Sequence, residues 1–101
     1  MLIRIGDFLV TGSSLAQCDI RRYSADSIGI RGRVQSQEDI QSTEGELYTL
    51  REGSVKDIHV QLDDGSEING VYRINELHWG KEKKSDGTGY ELAFNIGLQR
   101  E

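Results

Sequence analysis

The stretch Tyr90-Glu91-Leu92-Ala93-Phe94-Asn95-Ile96-Gly97-Leu98 decides how this chain is read. Large apolar side chains fall on every second residue. An extended backbone therefore turns Tyr90, Leu92, Phe94, Ile96 and Leu98 to one face and Glu91, Ala93, Asn95 and Gly97 to the other. Burying each such side chain is worth roughly 1.5–3 kcal/mol over leaving it exposed, which makes this segment a core strand.

Its natural partner lies just upstream, in Val71-Tyr72-Arg73-Ile74-Asn75-Glu76-Leu77-His78-Trp79, across a charged, glycine-bounded loop at residues 80–89. Tyr72 and Ile74 share one parity and Leu77 and Trp79 the other, so a bulge near Asn75-Glu76 is needed to bring all four to one face. Further back, Val55, Ile58, Val60 and Leu62 mark a third strand that ends in Asp63-Asp64-Gly65-Ser66. Asp-Gly between two alternating runs predicts a type I′ hairpin turn, whose two central residues both take positive φ. Asn69-Gly70 is then a bulge or second bend. The C-terminal half reads as a meander of strands over residues 55–62, 66–79 and 90–99.

The N-terminal half is less regular. Residues 2–10 predict one strand or two short ones, with Ile3 and Ile5 in alternation and a break at Gly6-Asp7. Such a segment either pairs within its own sheet or serves as an arm, residues 1–10, that adds to a neighbour. In the second role Ile3 and Ile5 are interface residues. Thr11-Gly12-Ser13-Ser14 is a polar connector, and Ser13 or Ser14 could cap a short helix over residues 15–23; Ala16, Cys18 and Ile20 fit a strand equally well. Ile28, Ile30 and Val34 share parity in a strand whose Gly29 and Gly32 indicate a bend or a close backbone approach, with Arg31 and Arg33 pointing away from the apolar side. Residues 35–46, polar around Ile40, read as a long loop that is either functional or ordered by a partner, followed by a short strand or helical turn at residues 47–50. The expected fold is mainly β: a small antiparallel β-barrel or sandwich with at most one short helix, forming a single domain over residues 1–101.

Composition agrees. The 26 Leu, Ile, Val and Phe residues are enough to drive folding, and with no proline the 12 glycines must carry the turns. No apolar run approaches the roughly 20 residues that span a bilayer, and no leader pattern opens the chain, so a soluble protein without a secretory signal is expected. Cys18 is the only cysteine, which rules out an intrachain disulfide and a cysteine metal cluster and favours a small buried hydrophobe.

Charge is unevenly spread. Residues 1–34 hold five arginines and three acidic residues, net +2, while residues 35–101 hold seven basic and 14 acidic residues, net −7. Arg21, Arg22, Arg31 and Arg33, with Tyr23 nearby, form the one basic group. A nucleic-acid binder would show a larger basic face with interleaved aromatics, so direct nucleic-acid binding is not expected. Head-to-tail association, basic part against acidic part, uses the same polarity.

Catalytic chemistry has no foothold in the pattern. His59 and His78 lack any metal-ligand spacing, and Asp63-Asp64-Gly65 opens like a calcium loop but lacks the later acidic ligands. Gly87-Thr88-Gly89 lacks the flanking strand and helix of a phosphate loop. The carboxylates lie mostly in polar loops, without an apolar pocket to raise a pKa. No catalytic, metal or cofactor-binding residue is assigned, and a non-enzymatic protein without a cofactor is expected. The remaining candidates are contact residues. Trp79 and Tyr72 are either core or aromatic anchors, and Lys83 and Lys84, in the run Lys81-Glu82-Lys83-Lys84, belong to a loop that is either solvated or a partner contact.

Gly70-Val71-Tyr72-Arg73-Ile74-Asn75-Glu76-Leu77, a charged tip, and Gly89-Tyr90-Glu91-Leu92-Ala93-Phe94-Asn95-Ile96-Gly97-Leu98-Gln99-Arg100 together resemble the closing hairpin of small bacteriophage tail-completion and baseplate proteins. The resemblance covers the C-terminal half of the chain. It implies a structural virion protein, made in the host cytoplasm and assembled in several copies around a tail axis with other tail or baseplate proteins, with no catalytic residues to transfer. A carbohydrate- or peptide-binding β module, using Trp79 and Tyr72 as an exposed surface, is the alternative from another class.

Overall fold

The structure, a computed structural model, describes residues 2–11 and 15–101. In chain order the elements are β1 (Leu2–Ile5), β2 (Phe8–Thr11), β3 (Leu15–Ser24), β4 (Ser27–Val34), α1 (Gln37–Thr49), β5 (Val55–Gln61), β6 (Glu67–Lys83) and β7 (Tyr90–Arg100). All seven strands form one antiparallel sheet in the order β2-β1-β5-β6-β7-β4-β3. The fold is mainly β, as expected, and the sheet is open rather than closed into a barrel.

This sheet cannot be flat. β6 has 17 residues and would run about 53 Å if straight, at roughly 3.3 Å per residue. The longest dimension of the molecule is 40 Å. β6 therefore bends, and the sequence supplies two devices. Gly70 takes φ 149°, closed to most side chains, and the register slips between Ile74 and Glu76 at the expected bulge. The bend coincides with a change of neighbour: β6 pairs with β5 from Glu67 to Arg73 and with β7 from Tyr72 to Lys83. Two four-stranded sets, β2-β1-β5-β6 and β6-β7-β4-β3, thus share one long strand. Covalent geometry agrees. β2 ends at Thr11 and β3 begins at Leu15, so those Cα atoms lie no more than about 14 Å apart, whereas six strand spacings across a flat sheet span about 29 Å.

The concave side of the bent sheet is the core. Leu92, Phe94, Ile96 and Leu98 of β7 are at most 2% exposed and stand opposite Val34, Gly32, Ile30 and Ile28 of β4. Tyr90, assigned to the same face, is 55% exposed, because β4 ends beside Leu92 and does not reach the hairpin end. Ile3 and Ile5 of β1, Ile58 and Val60 of β5, and Ile68, Tyr72 and Ile74 of β6 join the same cluster. Within the segment expected as a possible arm, β1 is an interior strand, paired with β2 on one side and β5 on the other, while β2 ends the sheet.

Of the two readings left open for residues 15–23 the strand is the one observed; the proposed caps Ser13 and Ser14 lie outside the described residues. Two expectations need correction. The helix is instead in the segment read as a loop, at Gln37–Thr49. Ser36 takes the extended N-cap conformation and its carbonyl accepts the first bond, from Ile40 N–H at 2.8 Å, while Glu38 and Asp39 suit the positive end of the helix dipole. Ile40 and Leu47, two turns apart, are its buried residues, and Leu50 follows them into the core. Finally, β6 runs on to Lys83, so the loop expected at residues 80–89 shrinks to residues 84–89.

The β5–β6 and β6–β7 hairpins share one design. In Asp64-Gly65-Ser66 the Asp64 Oδ1 accepts from Ser66 N–H at 2.9 Å and from its hydroxyl at 2.6 Å. In Asp86-Gly87-Thr88 the Asp86 Oδ1 accepts from Thr88 N–H at 3.0 Å and from its hydroxyl at 2.6 Å. These bonds hold both carboxyls below the usual aspartate value. Gly65 N–H reaches the Leu62 carbonyl at 3.0 Å, and the only positive φ at this turn is at Gly65. The turn is therefore a type I turn closed by a left-handed glycine, not type I′, which needs positive φ at Asp64 as well. Gly70 stays in register opposite Ile58, so Asn69-Gly70 is a bend without a bulge.

Candidate functional surface

The convex face of the set β6-β7-β4-β3 gathers the polar side chains that alternate with the core. The pairing registers align Asp19, Arg31, Asn95 and His78 in one cross-strand row, and Arg21, Gly29, Gly97 and Glu76 in the next. Gly29 and Gly97 stand directly opposite each other, and with no side chains there the surface sinks into a trough. Tyr23 lies across Gly29, so closely that a Cβ on that glycine would come within 2.8 Å of the ring. A cleft of about 110 Å³ follows between Tyr23, Arg31, Asn95 and Glu76. A second, of about 210 Å³, lies beside it between Asp19, Arg31, Arg33, Glu82 and Asn95.

One end of this surface is fixed by a buried carboxylate. The Glu91 side chain is 11% exposed, accepts a bond from Gln35 Nε2 at 3.2 Å and pairs with the Arg33 guanidinium. Arg33 also meets Glu82 at 3.2 Å. A carboxylate taken out of water needs such partners. The Gln35 bond and then Arg33 hold the Glu91 carboxyl below the usual glutamate value, and Glu91 in turn pushes the Arg33 pKa up. Glu82 and Arg33 thereby tie β6 to β4 across β7.

The structure splits the residues singled out from sequence. Arg21, Arg31 and Arg33 share the convex face. Arg22, one residue along from Arg21, has the parity of the concave side and is exposed near the end of β3. Ile3 and Ile5 are 1% and 0% exposed, so as core residues they offer no contact surface, which corrects the interface assignment made for them. Trp79 is half-buried on the concave side, with Tyr48 of α1 against it in a T-shaped contact, centroids 5.0 Å apart. Lys83 closes β6 opposite Tyr90, and Lys84 N–H bonds the Gly89 carbonyl, which places both at the hairpin tip, next to the end of the surface where Glu82 and Glu91 meet Arg33. Tyr72 is fully buried. Its hydroxyl accepts from Arg100 Nη2 at 2.8 Å, and the Arg100 guanidinium lies 5.0 Å from the ring centroid.

Sequence reading missed Asp19, Glu76, Glu82 and His78 as members of this surface. His78 Nε2 lies 3.3 Å from Glu76 Oε1. Cys18 is half-buried on the concave side, where desolvation, and then the charge of Asp19, push its thiol up to about 11. Among the described residues no group of three or more His, Cys, Asp or Glu side chains is placed to hold a metal ion, and no helix is long and apolar enough to cross a membrane.

Compared with known protein families, curated proteins and solved structures, the chain matches none of them.

Proposed function

We propose that this chain is a non-enzymatic structural subunit of a bacteriophage tail or baseplate, made in the host cytoplasm and built into the virion in several copies around the tail axis. The closing hairpin of β6 and β7 is the segment that resembles small tail proteins. The observation that carries the reading is the ten-residue β3, which ends the sheet with no strand paired to its outer side among the described residues and carries Arg21 and Arg22. An uncovered strand of that length is a template for pairing with another chain. The uneven charge of the chain gives copies a basic and an acidic part to bring together.

The alternative, a carbohydrate- or peptide-binding module, needs an exposed aromatic platform. Tyr72 is wholly buried and Trp79 is covered on one side by Tyr48, which removes most of that platform.

Light scattering on the purified protein at low and at high salt tests the assembly reading. Discrete oligomers that loosen as salt rises are expected. A monomer at every concentration and salt would contradict self-assembly.

A further inference from the structure

We propose that two strand edges of this chain, the outer edge of β3 and the edge of β6 beyond its bulge, are the complementary halves of one interface, occupied by a second copy of the same chain through antiparallel β-pairing. The inference rests on the assembly reading and names its contact.

The second edge follows from the way β6 is shared. β5 leaves β6 after Arg73, and from Glu76 to Lys83 the side of β6 away from β7 carries no strand among the described residues. The set β6-β7-β4-β3 therefore has, among the described residues, an edge without a paired strand at each end. Every neighbouring pair in it is antiparallel, so β6 and β3 run in opposite directions. A second copy set alongside in the same orientation brings its β6 antiparallel to β3 of the first, a head-to-tail contact that repeats from copy to copy.

Side-chain pattern selects a register. Convex must meet convex, so odd residues of β3 must oppose even residues of β6. With Arg21 opposite Glu76, Asp19 falls opposite His78, while on the concave side Ile20 meets Leu77 and Cys18 meets Trp79. Shifting by two residues sets Arg21 against His78 and Asp19 against Gly80, which loses the Arg–Glu pair. Shifting by four sets Asp19 against Glu82, like charge on like. Burial points the same way. Cys18, Ile20, Leu77 and Trp79 are only partly buried, whereas Ile30, Phe94 and Ile96 on the strands between them are at most 2% exposed. The apolar side of this set thins at both edges, and the proposed pairing would complete it.

Arg21 and Glu76 are both exposed, so their charges can be reversed without disturbing the core. Sedimentation velocity over a concentration series on the wild type, Arg21→Glu, Glu76→Arg and the double variant gives the test, with thermal melts confirming that each is folded. Each single reversal is expected to weaken association roughly tenfold, and the double to restore it to within a few-fold of wild type. Self-association that neither single reversal weakens would overturn the edge pairing while leaving assembly standing. Weakening by Arg21→Glu alone, or a double variant as weak as the singles, would also overturn it. A wild type that is monomeric throughout would overturn both.

Discussion

The ring of Phe94 lies directly on Gly32, its cross-strand partner: a Cβ at Gly32 would come within 2.3 Å of the Phe94 ring. The glycine is there because a large side chain on β7 fills the space that β4 would otherwise use. Gly32→Ala forces the ring or the strand to move, and overpacking of this kind costs about 1–3 kcal/mol. Urea unfolding is expected to show that loss, and Phe94→Leu in the Gly32→Ala background is expected to recover part of it. Unchanged stability in Gly32→Ala would contradict the contact.

Gly45 presents the opposite case. It lies in the interior of α1, and a Cβ there would meet nothing within 4 Å. A helical glycine with open space around it costs backbone entropy and contributes no packing in return. Gly45→Ala is expected to stabilise the protein by about 0.5–1 kcal/mol, read from the same unfolding curves. A loss of stability would mean that residues 37–49 are not helical.

Much of this fold was legible from period-two patterning. Where apolar and polar residues alternate, as from Leu92 to Leu98 in β7 and from Ile58 to Val60 in β5, parity separated core from surface, though it failed at the strand ends, where Tyr90 and Val55 are exposed and Glu91 is buried; the parity break at Asn75 located the bulge. α1 was not legible. Ile40 and Leu47 are its buried residues, and its one aromatic, Tyr48, lies on Trp79 with most of its surface exposed. A helix held by so few apolar contacts looks like a loop in sequence. The arginines of the convex face were visible as a group. Their neighbours Asp19, Glu76 and His78 were not, because a cross-strand row joins residues from four strands whose registers are set by the bent sheet.

Acid should loosen the convex face through Glu91. Its carboxyl is held below the ordinary value of 4.5 by Gln35 and then Arg33, so in acid the unfolded chain takes up this proton before the folded one. The stability it contributes is complete above the ordinary value and is lost as pH falls through the lowered one. Asp64 and Asp86 act in the same direction. Glu91→Gln is expected to melt below the wild type near neutral pH, with the gap closing as the pH falls below about 4. A gap that stays constant from neutral to acid pH would contradict this role.

The most direct test of self-pairing through β3 and β6 is a covalent one. Within one chain Arg21 and Glu76 lie three strand spacings apart, about 14 Å, too far for a disulfide. In a Cys18→Ser background, Arg21→Cys combined with Glu76→Cys can therefore be bridged only between copies. Mild oxidation followed by non-reducing electrophoresis is predicted to give a ladder of dimers, trimers and higher species from the double variant, and dimers from an equal mixture of the two single variants. Monomers alone from the double variant, or dimers from Arg21→Cys by itself, would contradict it.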